Sequence, residues 1–367
     1  MLIVADTGQR FTLEGDKVES LFADDLNKRV EVSGNWKTIG GTSAREVIAP
    51  ITVKEISGSS KPNAAIRFVQ VSFDTNDTPL RSELAEVDLP SKPVAPIRVT
   101  SPGLTVYRGG AFTPRVYFIK QHLGNLDVNR QVLNLSMSYT PSPKIQLEAE
   151  VPITRSEFDD GISSGSEVGL GNFTVWSKYR FFRTVKTYGD RQAAIRFGLE
   201  LPTGKKDAPT QARVNAPAFV RQQLTPINGG LSPHIDLAFS QAGGRFIFGG
   251  NSEGILRSER DGFRMGHEVR VNTDTEYVLL PRKYDAPGGE LFVILETSFV
   301  HRGKGRLDGT SAIGSNATEY YLAPGLQYAA APRFVVEGSF QFPLIRNTGP
   351  LVLRTDRNIL FGVRYLF

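Results

Sequence analysis

The sequence predicts an all-β protein, an antiparallel up-and-down transmembrane β-barrel of about twelve strands over 105–367, behind a small β-rich amino-terminal unit. Three observations predict it. In the last dozen residues, Asp356 to Phe367, the side chains of Ile359, Phe361, Val363, Tyr365 and Phe367 point one way and those of Asn358, Gly362 and Arg364 the other. A soluble protein exposing such an aromatic face would aggregate, whereas a closed barrel in lipid needs apolar residues outward and keeps polar ones inward. From Thr105 onward, similar alternating segments recur at 105–120, 131–141, 145–156, 170–183, 191–203, 231–241, 245–256, 266–281, 291–303, 318–330, 333–345 and 354–367. The connections also sort by parity. The runs SPK, AGG and AAP are tight, while 157–169, 204–230 and 304–317 are long and rich in Gly, Ser, Asn and Asp, as when short turns face the periplasm and long loops face outside.

Composition excludes several other classes. No apolar run approaches the ~18 residues of a membrane helix. The apolar fraction, 40 %, is low for a globular protein but suits a barrel in which alternate residues touch lipid. The absence of cysteine removes thiolate metal sites, thiol nucleophiles and disulfides together. A net charge of +5, from 43 basic and 38 acidic residues, gives nucleic-acid binding little support. Met1 opens directly on LIVAD, with no basic and apolar leader, so the signal peptide that export requires is expected to precede this numbering and to have been removed.

Residues 1–57 are expected to form an OB-like β-rich unit. LIVAD, RFTLEG, RVEVSGNW and VIAPITVKEI look like strands, and Asp16 to Arg29 looks like a helix with Val18, Leu21, Phe22 and Leu26 on one face and an Asp16/Glu19 capping box. Residues 58–104 are expected to be a tether, since five prolines between Pro79 and Pro102 block regular ladders. In the barrel, Ile145, Leu147, Ala149, Val151 and Ile153 face lipid and Gln146, Glu148, Glu150 and Thr154 face inward. Phe173, Val175, Tyr179 and Phe181 go out while Lys178 and Arg180 go in. Phe197 goes out between Arg196 and Glu200 on the inner face. The same rule puts His234, Asp236, Arg270, Asp274, Glu276, Glu296, Glu337 and Arg364 in the lumen.

Several motifs carry a family resemblance. Gly169-Leu170-Gly171-Asn172, Ser177-Lys178-Tyr179-Arg180 and Leu201-Pro202-Thr203-Gly204 resemble the GLGD, KYR and LPTG pattern of the outer-membrane proteins grouped as the MetA-pathway of phenol degradation, or "transporter", family. Pro324-Gly325-Leu326-Gln327-Tyr328, Phe342-Pro343-Leu344 and Leu360-Phe361-Gly362 are similar to that family's closing strands. The likeness covers about 105–367, and Asn172 stands where the family usually has Asp. It implies a barrel of about twelve strands and passage of small, often aromatic, solutes. Ending on a bare aromatic likewise resembles bacterial outer-membrane proteins, whose insertion signal would here be Tyr365 and Phe367.

No phosphate loop, nucleotide fingerprint or metal-spaced cluster is present, so no metal and no cofactor is expected. Only His122, His234, His267 and His301 could serve a Ser/His/Asp site, and the tempting pair is His234 with Asp236. The expected class is not an enzyme. Glu148, Glu150, Lys178, Arg180, Arg196 and Glu200 come from three consecutive strands and are expected to form an inward charge ladder, either a selectivity lining or an ion-paired plug. On that view a charge placed at Phe197 should hurt more than loss of Arg196. Two function classes remain open: a channel or uptake barrel for small solutes, or a barrel anchoring a complex in which residues 1–57 bind a periplasmic protein or peptidoglycan. Both place the chain in the outer membrane of a Gram-negative bacterium, and the even strand count puts the amino-terminal unit in the periplasm.

Overall fold

The computed structural model describes residues 109–367 apart from 143, 187–188, 283–288 and 332, together with Ile97 and, as backbone, four amino-terminal strands. Those four, β1 (Leu2–Val4), β2 (Arg10–Leu13), β3 (Val30–Ile39) and β4 (Arg45–Glu55), form a sheet in the order β1-β2-β4-β3, with β2 and β4 parallel and the other pairs antiparallel. The expected helix at 16–29 and, apart from Ile97, the tether lie outside the described residues.

The barrel begins with β5 (Gly109–Leu123), β6 (Leu126–Ser142) and β7 (Ile145–Asp159), followed by β8 (Ser164–Leu170), β9 (Phe173–Lys186) and β10 (Gly189–Leu201). A short helix α1 (Ala218–Gln222) precedes β11 (Ser232–Gly243), β12 (Phe246–Ile255), the two-residue β13 (Phe263–Arg264), β14 (Glu268–Leu280) and β15 (Glu290–Arg302). After the hairpin β16 (Arg306–Leu307) and β17 (Thr310–Ser311) come β18 (Ala317–Ala331), β19 (Phe334–Thr348) and β20 (Arg354–Leu366). β20 pairs back onto β5, from Arg354↔His122 to Leu366↔Ala111, and closes a twelve-position barrel. Closure matters because an open edge would leave backbone polar groups without partners in lipid. At the seam Gly110 and Phe367 exchange backbone hydrogen bonds of 2.8 and 2.9 Å, and the Phe367 ring lies where a Cβ on residue 110 would be, at 2.5 Å.

Every expected strand segment is present, but the connections differ from expectation in two places. The first hairpin is closed by Gly124 and Asn125 alone, with Gly124 at φ +57°, so one turn on the long-loop rim is as tight as those opposite. The stretch expected as loop 157–169 contains β8, which pairs with the outer half of β7 from Ile153↔Leu170 to Asp159↔Ser164. The chain steps at Gly171-Asn172 and resumes as β9 against the inner half of β7, from Glu150↔Thr174 to Ile145↔Tyr179, so β8 and β9 together fill one barrel position.

The alternation of faces follows the sequence. Phe197 is 54 % exposed while Arg196 is 5 % exposed, and Ile235, Leu237, Phe361 and Tyr365 are outward beside buried His234, Asp236 and Arg364. No helix among the described residues is long and apolar enough to cross a membrane. Strands supply the apolar band instead, an exterior that lipid satisfies and water does not.

The segment expected as open loop 204–230 is packed rather than open. Val214, Val220 and Leu224 are fully buried against Leu126, Val128, Phe158 and Leu353 at the long-loop end of the barrel. Arg130 donates to the carbonyl of Gln223, whose side-chain amide donates to Leu351 O at 2.6 Å. Phe219 packs with Phe263 and Met265. At the root of this lid Asp160 accepts backbone N–H bonds from Ile162 (2.9 Å), Ser163 (2.6 Å) and Asn215 (2.8 Å), which hold its carboxyl below the usual aspartate range.

Candidate functional site

All the lumen charges expected from the alternation lie on the inner face, and they fall into separate groups. Arg196 on β10 is the centre of the first. Its guanidinium lies 3.6 Å from Glu148 on β7 and 3.3 Å from Asp236 on β11, and sits over the Trp176 ring of β9 at 4.1 Å. Ser136 also donates to Glu148, at 2.9 Å, and Asn251 to Asp236, also at 2.9 Å. Arg196 thus bridges Glu148 and Asp236, and Lys178 stands in register with Gln146 on β7. Arg180 donates to Gln192 at 3.0 Å, and Glu150 accepts from Asn134 at 3.4 Å. Removing Arg196 would strand two carboxylates, which brings the cost of its loss up to that expected of Phe197→Arg.

His234 does not pair with Asp236. Its Nδ1 lies 2.7 Å from Glu253, its Nε2 lies 3.6 Å from Glu200, and its ring meets Trp176 edge-on at 5.0 Å. The geometry that a Ser/His/Asp site needs is thus not assembled at this pair. Asn172, at the position where the resembled family carries Asp, donates to Glu200 at 2.6 Å and accepts from Gly204 N at 3.0 Å. An aspartate there could not make the first bond and would set two carboxylates side by side.

A second group gathers on Glu337, which is contacted by Arg115 (2.6 Å), Arg364 (3.3 Å) and Gln327 (2.8 Å). A third, near the long-loop rim, centres on Glu268, with Arg302 at 2.8 Å, Arg257 at 3.5 Å and Arg270 bonded as well. Glu296 stands opposite Asp274 across β14 and β15. Tyr365 is outward, and Phe367 closes the seam.

Sequence reasoning passed over Arg115, Trp176, Glu253 and Glu268. Trp176 had a usable signal, since it shares the parity of Lys178 and Arg180. Gly198 on β10 leaves it space, because a Cβ there would lie 2.5 Å from the indole. Toward the short-turn end the lumen becomes apolar. Val278, Phe292, Ile294, Ala329, Val335 and Leu360 form a buried cluster, and Ile97, from the stretch expected to be a tether, is seated among them at 1 % exposure.

No family model matches the chain, and no curated protein matches it by sequence. Among solved structures it is similar to the COG4313 outer membrane channel from Pseudomonas putida F1, with a TM-score of 0.54 and 13 % identity over 75 % of this chain and 100 % of that one. The shared fold is a closed twelve-strand barrel. Weaker likenesses, which add nothing to the argument, are the β domain of the Bordetella autotransporter BrkA (TM-score 0.42, 11 % identity, 71 % of this chain and all of that one) and the transport unit of the Escherichia coli autotransporter AIDA-I (TM-score 0.44, 7 % identity, 78 % and 97 %).

Proposed function

We propose that the protein is an outer-membrane channel of a Gram-negative bacterium that takes up small, often aromatic, solutes without catalysis, in the manner of the phenol-degradation "transporter" proteins its motifs resemble. The observation that carries this reading is the inner wall itself. Glu148, Arg196, Asp236, His234 and Glu253 form a continuous polar belt across β7, β10, β11 and β12, where a barrel serving only as an anchor could be filled by apolar side chains. The fold shared with an outer membrane channel supports it. Reproducible conductance steps in a planar bilayer are the expected result, and silence under conditions where the barrel is folded would overturn it.

One observation favours the second reading, an anchor that holds a periplasmic protein or peptidoglycan. The amino-terminal strands make a sheet of their own, for which simple uptake has no evident need. Co-purification of a partner from native membranes, lost on deleting residues 1–57, is the result this reading expects.

A further inference from the structure

Five of the lumen's carboxylates are matched with cations: Glu148 and Asp236 with Arg196, Glu253 with His234, Glu268 with Arg302 and Arg257, Glu337 with Arg115 and Arg364. Asp274 and Glu276 on β14 break this pattern. Each is 1 % exposed, and none of their four carboxylate oxygens has a hydrogen-bond partner among the described residues. The neighbouring strands explain why. Opposite Asp274 stand Gly249 on β12 and Glu296 on β15, and the Asp274 carboxylate leans over the glycine, within 2.5 Å of where a Cβ would be. Opposite Glu276 stand two isoleucines, Ile247 and Ile294. Arg364, whose charge bears on Glu276, is bonded to Glu337.

The same strands change character one step further along. Val278 follows Glu276 on the inner face of β14, and Ile294 and Phe292 lie on the facing strand. All three belong to the apolar cluster in which Ile97 is seated. Same-face neighbours on a strand are about 7 Å apart and cross-strand neighbours about 5 Å. Carboxyl groups without partners and an apolar cluster are therefore separated by the length of a small organic molecule. No group of three or more ligating side chains suited to a metal ion occurs among the described residues, and isoleucines beside Glu276 offer nothing to a hydrated metal.

We propose that this part of the lumen is a binding site for a small organic cation with an apolar body, an aromatic or alkyl amine. Asp274 and Glu276 take its charge, and Val278, Phe292 and Ile294 take its body. Ile97 is the chain's own occupant of the apolar half and must give way when the ligand enters. The site deepens the channel reading, from which it takes access to the lumen, by naming the chemistry of the solute.

Benzylammonium, benzyl alcohol and benzoate share one apolar body and differ in charge. Calorimetric titration of each into the full chain in lipid nanodiscs is expected to show benzylammonium binding about tenfold tighter than benzyl alcohol, the difference a charged contact supplies, with benzoate weakest. The isosteric pair Asp274→Asn with Glu276→Gln should erase that gap and leave benzyl alcohol unchanged, and Ile97→Ala should tighten both. Native protein that binds benzylammonium no better than benzyl alcohol overturns the proposal whether or not the variants fold. So does a gap that survives the double substitution, or calcium chloride binding where benzylammonium does not. If Ile97→Ala changes neither affinity, the apolar half of the site is refuted. Binding is read here without conductance, so a silent bilayer overturns the channel reading alone, and equal affinities overturn the cation site alone.

Discussion

A charge on the outer face of β10 separates lipid-facing from lumen-facing positions most directly. Phe197 is the ninth of the thirteen residues of β10 and lies two beyond the middle residue, Ile195. With a rise of ~3.3 Å per residue and a tilt of about 40°, it sits roughly 5 Å from the middle of the strand, inside a band about 25 Å tall. Phe197→Arg should therefore cost about 3 kcal/mol of folding stability. The control is an arginine of the same size placed inward: Ser138 on β6 faces Glu148 across the strand pair, and Ser138→Arg should change stability by less than about 1 kcal/mol. Both are read by urea refolding into liposomes, with heat-modifiable gel mobility reporting the closed barrel. Equal losses at the two positions would refute the assignment of faces, because a slip of one residue exchanges them.

Arg196→Ala should cost about 3–5 kcal/mol in the same titration, since it leaves Glu148 and Asp236 buried without their cation, and a double-mutant cycle of Arg196 with Asp236 should show coupling. Zero coupling would mean the pair does not act in solution. Gly198→Leu should destabilise by about 1–3 kcal/mol and shift Trp176 fluorescence, because the new side chain takes the place of the indole. At Asp160 the folded carboxyl is held below its unfolded value of ~3.9, so its stabilisation of the lid is present above that pH and is lost as pH falls through the folded value. Asp160→Ala should abolish it at neutral pH and speed proteolysis at Arg213. Trypsin added to intact cells should cut at exposed Lys206 and Lys304 and spare Lys54; loss of the amino-terminal unit instead would reverse the topology.

Faces were legible in the sequence because a strand has a strict period of two, and one residue's parity fixes its neighbours'. That is why Phe197, Arg196 and Glu200 fall where the alternation puts them. Pairings were not legible. Whether Glu148 meets Lys178 or Arg196 depends on the shear between β7, β9 and β10 and on the reach of each side chain, and no single strand records either. Connections failed for another reason. Gly, Pro and Asn mark the stretch after Leu201 as loop, but the burial of Val214 and Val220 arises from residues on β6, β7 and the β19–β20 connection, and that of Phe219 from Phe263 and Met265, all distant in sequence. Ile97 was lost in the same way, since five nearby prolines say only that a ladder cannot form.

The two unpartnered carboxylates also bear on which selection shaped this wall. Replacing both members of a buried ion pair by apolar side chains is often neutral or stabilising, so even the paired clusters around Arg196 and Glu337 are weak evidence of a demand for stability. Asp274 and Glu276 go further, because an unpaired buried carboxylate costs free energy outright. Glu276 already lies between Ile247 and Ile294, and a third aliphatic residue there would extend the apolar cluster at no loss of packing. A barrel that only had to stand in the membrane would gain by that change. Residues that break the local rule at a cost to the fold concentrate at sites that bind or react. In this lumen the rule is broken where two carboxyl groups without partners adjoin the apolar cluster around Phe292, and the proposed cation would supply the partner that the described residues do not.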